Sequence, residues 1–157
     1  RLRTSFPNKT PAISKLELVL DIYPSLSLIL RYIHCLAFQG AAHDMSIVIV
    51  HGPKGVDSAI KLTELCSNVF RLSLSPSLMR SAAVIKDAYL AITPDTSILH
   101  MTSAYNTPAI AVYADYKTRW PSMQDIAENI VVGRNIDCIN LKEFEATLRR
   151  ILSRING

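Results

Sequence analysis

Glycine is scarce in this chain, five in 157 residues. None of the five falls in a GxGxxG spacing, so the fingerprint that cradles a dinucleotide between a strand and a helix is absent. Cysteine is scarce too. Cys35, Cys66 and Cys138 are odd in number and widely spaced, which suggests neither a disulfide framework nor a CxxC metal site and fits a reducing cytoplasm. There is no Asp-x-Asp to hold a metal ion, no HExxH, no Ser/His/Asp arrangement with a nucleophile motif and no carboxylate pair at glycosidase spacing. Hydrolysis is therefore not the first reading, and no cofactor is expected. A stripe of Lys and Arg with interleaved aromatics is also missing. The net charge of +4 and pI near 9.1 are moderate, and only Arg149, Arg150 and Arg154 cluster. Such an excess fits acidic ligands or an anionic membrane surface and argues against nucleic acid. No signal peptide is visible. The most apolar window, Leu16 to Phe38, is interrupted by Glu17, Asp21, Pro24, Arg31 and His34, so a spanning helix is not expected.

What is present is ample apolar material. With 49% hydrophobic residues, the chain suffices for one well-buried core and is too short for two ordinary domains, so residues 1–157 read as a single domain. Residues 1–10 read as a loop or frayed end. From Ala12 to Tyr23, Ile13, Leu16, Val19, Leu20 and Tyr23 recur at helical spacing, and Pro24 ends or kinks that helix. A second helix is expected over 25–38, so residues 1–45 form a helical N-terminal region. Residues 46–157 read as βα repeats: strand 46–51, helix to about Asn68, strand 69–74, helix 78–86. A central unit spans 88–113, and a short helix, a strand near 129–132 and a last helix capped by Asn140 follow.

The central unit, AYLAITPDTSILHMTSAYNTPAIAVY, is strand, turn, helix from about Ser97 to Tyr105, break at 106–108, and strand. Both strands are apolar without alternation, which places them centrally in a parallel sheet. Alternating strands and helices of this kind indicate an α/β, Rossmann-like parallel sheet with helices on both faces. Its ligand crevice lies outside the carboxyl ends of the strands. The turns at 51–55, 73–77, 94–97 and 114–120 meet there and offer Lys54, Ser75, Ser77, Asp95, Thr96, Ser97, His100, Lys117 and Arg119. This polar, net cationic rim suits a diphosphate, which a helix amino end also favours.

Each residue has a plainer alternative. Asp95 either accepts hydrogen bonds from sugar hydroxyls or merely caps the helix that follows. Thr96 and Ser97 give donors to phosphate, or cap. His100 lies one turn on, beside Ser97, and donates to a phosphate oxygen or is a structural helical histidine. Lys54, Lys117 and Arg119 contact phosphates or are solvated surface charges.

The segment KDAYLAITPDTSILHMTSAYNTPAIAVYA resembles the signature of the ADP-heptose heptosyltransferase family, glycosyltransferase family 9: a strand ending in a D-[ST]-G/S-x-x-H turn, a small-residue helix, Pro, and a strand ending in Tyr or Phe. Trp120-Pro121 is similar to the W-x-P region of some members. The likeness is specific over about 69–121 and loose over 46–68. It implies one half of a GT-B glycosyltransferase, the C-terminal domain that binds the nucleotide sugar. The N-terminal acceptor domain, and the base that deprotonates the acceptor, would lie outside this chain, which starts at Arg1 without Met and is expected to be a piece of a larger protein.

By position the resemblance makes Asp95 the contact to the donor sugar. Thr96, Ser97 and His100 become the groups around the pyrophosphate, and the 75–78 turn the place of the base. Two departures stand out: Ser97 where many members have Gly, and Lys54, with Asp57 three residues on, where an acid often holds the ribose. The reaction implied is inverting transfer of heptose or a related sugar from a nucleotide diphosphate sugar to lipopolysaccharide or another glycan or lipid-linked acceptor. It would take place in the cytoplasm or peripherally on the cytoplasmic face of the inner membrane. The isolated chain is then expected to bind nucleotide diphosphates weakly and to catalyse nothing. Competing readings are a nucleotide-sugar epimerase and a degenerate binding module of the same fold.

Overall fold

Short apolar runs build the sheet because residues buried on both faces need no polar alternation. The computed structural model describes residues 17–22, 46–72, 77–114, 121–133 and 136–157. Its strands are β1 (Glu17–Ile22), β2 (Ser46–His51), β3 (Val69–Arg71), β4 (Leu90–Pro94), β5 (Ala109–Tyr113) and β6 (Ala127–Val131). Its helices are α1 (Val56–Leu65), α2 (Leu78–Asp87), α3 (Ser97–Tyr105) and α4 (Leu141–Asn156). All pairings are parallel and the strand order is β3-β2-β1-β4-β5-β6.

The pleat sorts the core. Leu18, Leu20, Ile47, Ile49, Leu90, Ile92, Ile110 and Val112 project to one face, where Ala59 and Leu62 of α1 and Phe144, Leu148 and Ile151 of α4 cover them. Val19, Val50, Ala91 and Ala109 project to the other, against Ile85 of α2 and Ile98 of α3. Ala111 and Tyr113 pack there with Leu99. Alanines at 91, 109 and 111 let α3 lie close to the strands. Helix α3 ends on Asn106, in the left-handed region at φ 55, a conformation that asparagine tolerates.

Two sequence expectations are corrected. The helix expected over Ala12–Tyr23 is overturned at 17–22, where β1 stands at the centre of the sheet, paired to β2 and β4. Leu18-Val19-Leu20 is a continuous run buried from both sides, and a buried strand and a buried helix share that pattern when the run is short. The rest of that segment and the helix expected over 25–38 lie outside the described residues. The short helix expected before β6 does not appear in 121–126, which forms an extended strap along α3. Side-chain bonds hold it. Gln124, buried, donates through Nε2 to Thr102 Oγ1 (3.2 Å) and accepts from Ser103 Oγ (2.8 Å). Asn106 donates to Asp125 Oδ2 (2.7 Å) and accepts from Asp125 N–H (2.9 Å). Asn140 caps α4 as expected, accepting from Lys142 N–H at 3.0 Å.

Candidate functional site

A parallel sheet with this strand order reverses its winding between β1 and β4, and the crevice at such a switch point opens outside the carboxyl ends of those strands. The β4–α3 turn, Pro94 to Ser97, stands there. The turn after β2, Gly52 to Gly55, lies on the same edge, because β2 and β4 both run parallel to β1, with His51 level with Ile22 and Ile92 level with Leu20. Lys54 and Asp95 therefore share one rim, and both are exposed.

The turn assigns its residues separate tasks. Thr96, extended at φ −132, is the cap of α3: its Oγ1 accepts from Ile98 N–H at 3.2 Å, and its carbonyl accepts from Leu99 N–H at 3.1 Å. Fully buried Thr93 supports it, with its Oγ1 3.3 Å from that of Thr96 while donating to the Pro94 carbonyl. So the capping role open to Asp95 in the sequence belongs to its neighbour. Asp95, Ser97 and His100 are exposed, while Ile98 and Leu99 of the same turn are buried. That pattern turns one polar face of the helix start to the rim. Two first-turn amides are engaged by the cap, so the helix offers an anion fewer free N–H groups than an uncapped end would.

Ser77 sits at the start of α2, half-buried, with its carbonyl accepting from Ser81 N–H (3.0 Å) and no capping bond from its hydroxyl. It too lies at the carboxyl end of the sheet, following β3. Lys54 falls in the one-turn 3-10 helix Pro53–Gly55, closed by Gly55 N–H to the Gly52 carbonyl (3.0 Å). His51 Nδ1 donates to the same carbonyl at 2.9 Å. Ser75, Lys117 and Arg119 lie outside the described residues.

The structure adds Tyr113 to this rim. Tyr113 ends β5 with 3% of its surface exposed, and its hydroxyl accepts from Ser122 N–H at 3.1 Å. Burial pushes the phenol above its usual range; hydrogen bonds to Ser122 oppose that, and the negative charge of Asp95 adds to it. Asp95 thus stands near enough to the end of the neighbouring strand β5 for its charge to be felt there. Arg71, the last residue of β3, is half-buried and level with Ile49, two residues short of the end of β2. Among the described residues no group of three or more His, Cys, Asp or Glu is placed to hold a metal ion, and no helix is long and apolar enough to cross a membrane.

This geometry recurs in known proteins. E. coli ADP-heptose LPS heptosyltransferase II superposes with a TM-score of 0.73 at 14% identity, over 94% of this chain and 50% of that one. E. coli heptosyltransferase WaaC, solved with ADP, gives 0.69 at 19%, over 90% and 45%. UDP-GlcNAc 2-epimerase from Methanocaldococcus jannaschii is less similar, 0.58 at 13%, over 90% and 39%. These likenesses establish the fold, a Rossmann-like sheet of the GT-B kind, and this chain spans about half the length of the heptosyltransferases it matches. No curated protein sequence matches it significantly. The family profile of glycosyltransferase family 9 (heptosyltransferase) matches residues 36–149, well over half of the chain and including every candidate site residue. By that match, the chain belongs to glycosyltransferase family 9.

Proposed function

We propose that this chain is the donor-binding half of an inverting glycosyltransferase that moves heptose or a related sugar from a nucleoside diphosphate sugar to a lipopolysaccharide or other glycan acceptor. The observation that carries the reading is the division of labour in the β4–α3 turn: Thr96 caps the helix, and Asp95 stands exposed beside it at the switch point. An exposed carboxylate at that place can accept hydrogen bonds from sugar hydroxyls. Ser97 and His100, with Lys54 along the rim, supply donors to the diphosphate. Their part in the reaction is electrostatic, steadying the charge that develops on the departing diphosphate in a site already arranged for it. Lys117 and Arg119, which follow β5 in the sequence, are assigned to the same cationic set. The base that deprotonates the acceptor is assigned to a second domain.

Support comes from the family and from WaaC, whose structures are described with ADP and with ADP-2-deoxy-2-fluoro heptose. The weaker likeness to the epimerase ranks that alternative second. Titration of the chain with ADP, UDP and GDP, followed by amide chemical shifts, tests the proposal. Shifts gathered on 52–55, 77–78 and 95–100 are expected. No binding by any nucleotide would overturn it in favour of a degenerate module.

A further inference from the structure

Thr93, the last residue but one of β4, has no exposed surface. It shares the sheet face of Ala91 and stands level with Ala111 of β5, on the side where Ile98 and Leu99 of α3 pack. A hydroxyl has one proton to give and two lone pairs. The Thr93 proton goes to the Pro94 carbonyl at 2.9 Å, so the 3.3 Å contact with Thr96 Oγ1 is made by the proton of Thr96. Thr96 in turn accepts from Ile98 N–H. Its hydroxyl is therefore engaged inward, by the helix and by Thr93.

Asp95 lies between the two residues held in this way. The Pro94 carbonyl belongs to the peptide that carries the Asp95 N–H, and that peptide is planar and trans. With its carbonyl drawn to a buried hydroxyl, the plane is fixed and its N–H edge turns away from Thr93. On the other flank, Thr96 is fixed by its cap and by the same buried oxygen. Exposed itself, Asp95 takes its place from neighbours that are not.

We propose that Thr93 is a positioning residue of the donor site: its buried hydroxyl holds both flanks of Asp95 and so aims the carboxylate at the sugar, without touching the ligand. The inference rests on the donor-binding reading above. An apolar residue would fill this place in the sheet as well as threonine does. A hydroxyl there carries a burial cost that only hydrogen bonds offset, and both of these bonds go to the turn that bears the candidate site.

Calorimetric titration of the whole 157-residue chain with ADP-heptose and with ADP tests this in Thr93→Val, which keeps the shape and loses the hydroxyl, and in Thr93→Ser, which keeps the hydroxyl. Thermal melts establish that each variant is folded, and Thr93→Ala takes the place of the Val variant should that one not fold. Thr93→Val is expected to bind ADP-heptose about five-fold or more weakly, with ADP affinity largely retained, and Thr93→Ser to bind both as the parent does. The same pair of titrations in an Asp95→Asn background closes a double-mutant cycle. There the Val substitution is expected to cost no further affinity for ADP-heptose, because the carboxylate it would misplace is already gone. Equal losses for the two ligands, or a loss repeated in full in the Asp95→Asn background, overturns the positioning role and leaves the donor-binding reading standing. No binding of either ligand by the parent chain overturns that reading itself.

Discussion

Exchanging the two neighbours in the β4–α3 turn separates a structural role from a binding one. In Thr96→Ala the helix loses the Oγ1 acceptor of Ile98 N–H, and Thr93 loses its partner hydroxyl. A missing threonine cap costs roughly 0.5 to 2 kcal/mol, and the buried setting of Thr93 puts the expected loss near the middle, about 1 kcal/mol. For a chain of this size that lowers Tm by about 2 to 4 °C. Thr96→Ser restores the oxygen and should restore the stability.

Asp95→Asn leaves the cap in place at an exposed site. Its cost is the helix-dipole contribution of one carboxylate at the first turn, at the low end of roughly 0.3 to 1 kcal/mol. Binding should behave in the opposite order. A hydrogen bond from a sugar hydroxyl to a carboxylate is worth about 1.5 to 3 kcal/mol, so Asp95→Asn should weaken a nucleotide sugar about ten-fold or more. The free nucleoside diphosphate should bind as well or better, because a negative charge beside the phosphates is gone. Urea unfolding gives the first pair of numbers and calorimetry the second. If Asp95→Asn destabilises as much as Thr96→Ala and treats sugar-bearing and sugar-free ligands alike, the carboxylate is structural and the argument from the turn fails.

The strap along α3 should be costly to break. Ser103→Ala removes a donor to buried Gln124 and the acceptor of Met123 N–H, a loss of about 1 to 3 kcal/mol by urea unfolding. Tyr113→Phe should cost about 1 kcal/mol at neutral pH, from the lost acceptor of Ser122 N–H. The same variant tests the phenol's raised pKa. The folded protein holds that proton more tightly than the unfolded chain, so this stability is whole below about pH 10 and is lost as pH rises through the folded value. Stability profiles above pH 10 should accordingly fall less steeply in Tyr113→Phe than in the parent. Glu128, 18% exposed, bridges Arg150 (3.2 Å) and Arg154 (3.1 Å), which are 56% and 45% exposed. With partners so open to water, Glu128→Gln should cost at most about 1 kcal/mol, and the difference should shrink in about 1 M salt.

The helices and strands of residues 46–157 are largely legible from sequence because punctuation and periodicity agree there. Ser97–Tyr105 stands within its expected bounds between Pro94 and Asn106, and Ala109–Tyr113 begins directly after Pro108. Strand β1 is not legible. Three core residues, Leu18 to Leu20, carry no period of their own, and flanking Ile13, Leu16 and Tyr23 lend them a helical one. Only the neighbours that pair with them, at Ser46–His51 and Leu90–Ile92, reveal the strand. The switch point was therefore hidden, because it requires β1 between β2 and β4. Asp95 could be picked out by composition, but that Thr96 is the residue at the cap could not. Adjacent Asp and Thr are both good caps, and only the bond from Thr96 to Ile98 decides between them.

The strap bears on the candidate site because it grips the helix that carries it. Helix α3 is short, nine residues, and a helix of that length has little stability of its own. Its direction is set by what grips it. Ile98 and Leu99 seat the first turn on the sheet, Thr102 and Ser103 are tied to Gln124, and Asn106 is tied to Asp125. The last two ties lie at or beyond the middle of the helix, on residues that face no ligand. A helix held at its far half and seated at its near one keeps its amino end aimed at one point in the crevice, and the donors there need no reordering when a diphosphate arrives. Preorganisation of that kind is what makes fixed dipoles effective toward developing charge. It places part of the site's performance in Gln124 and Asn106, at the opposite end of the helix from Asp95.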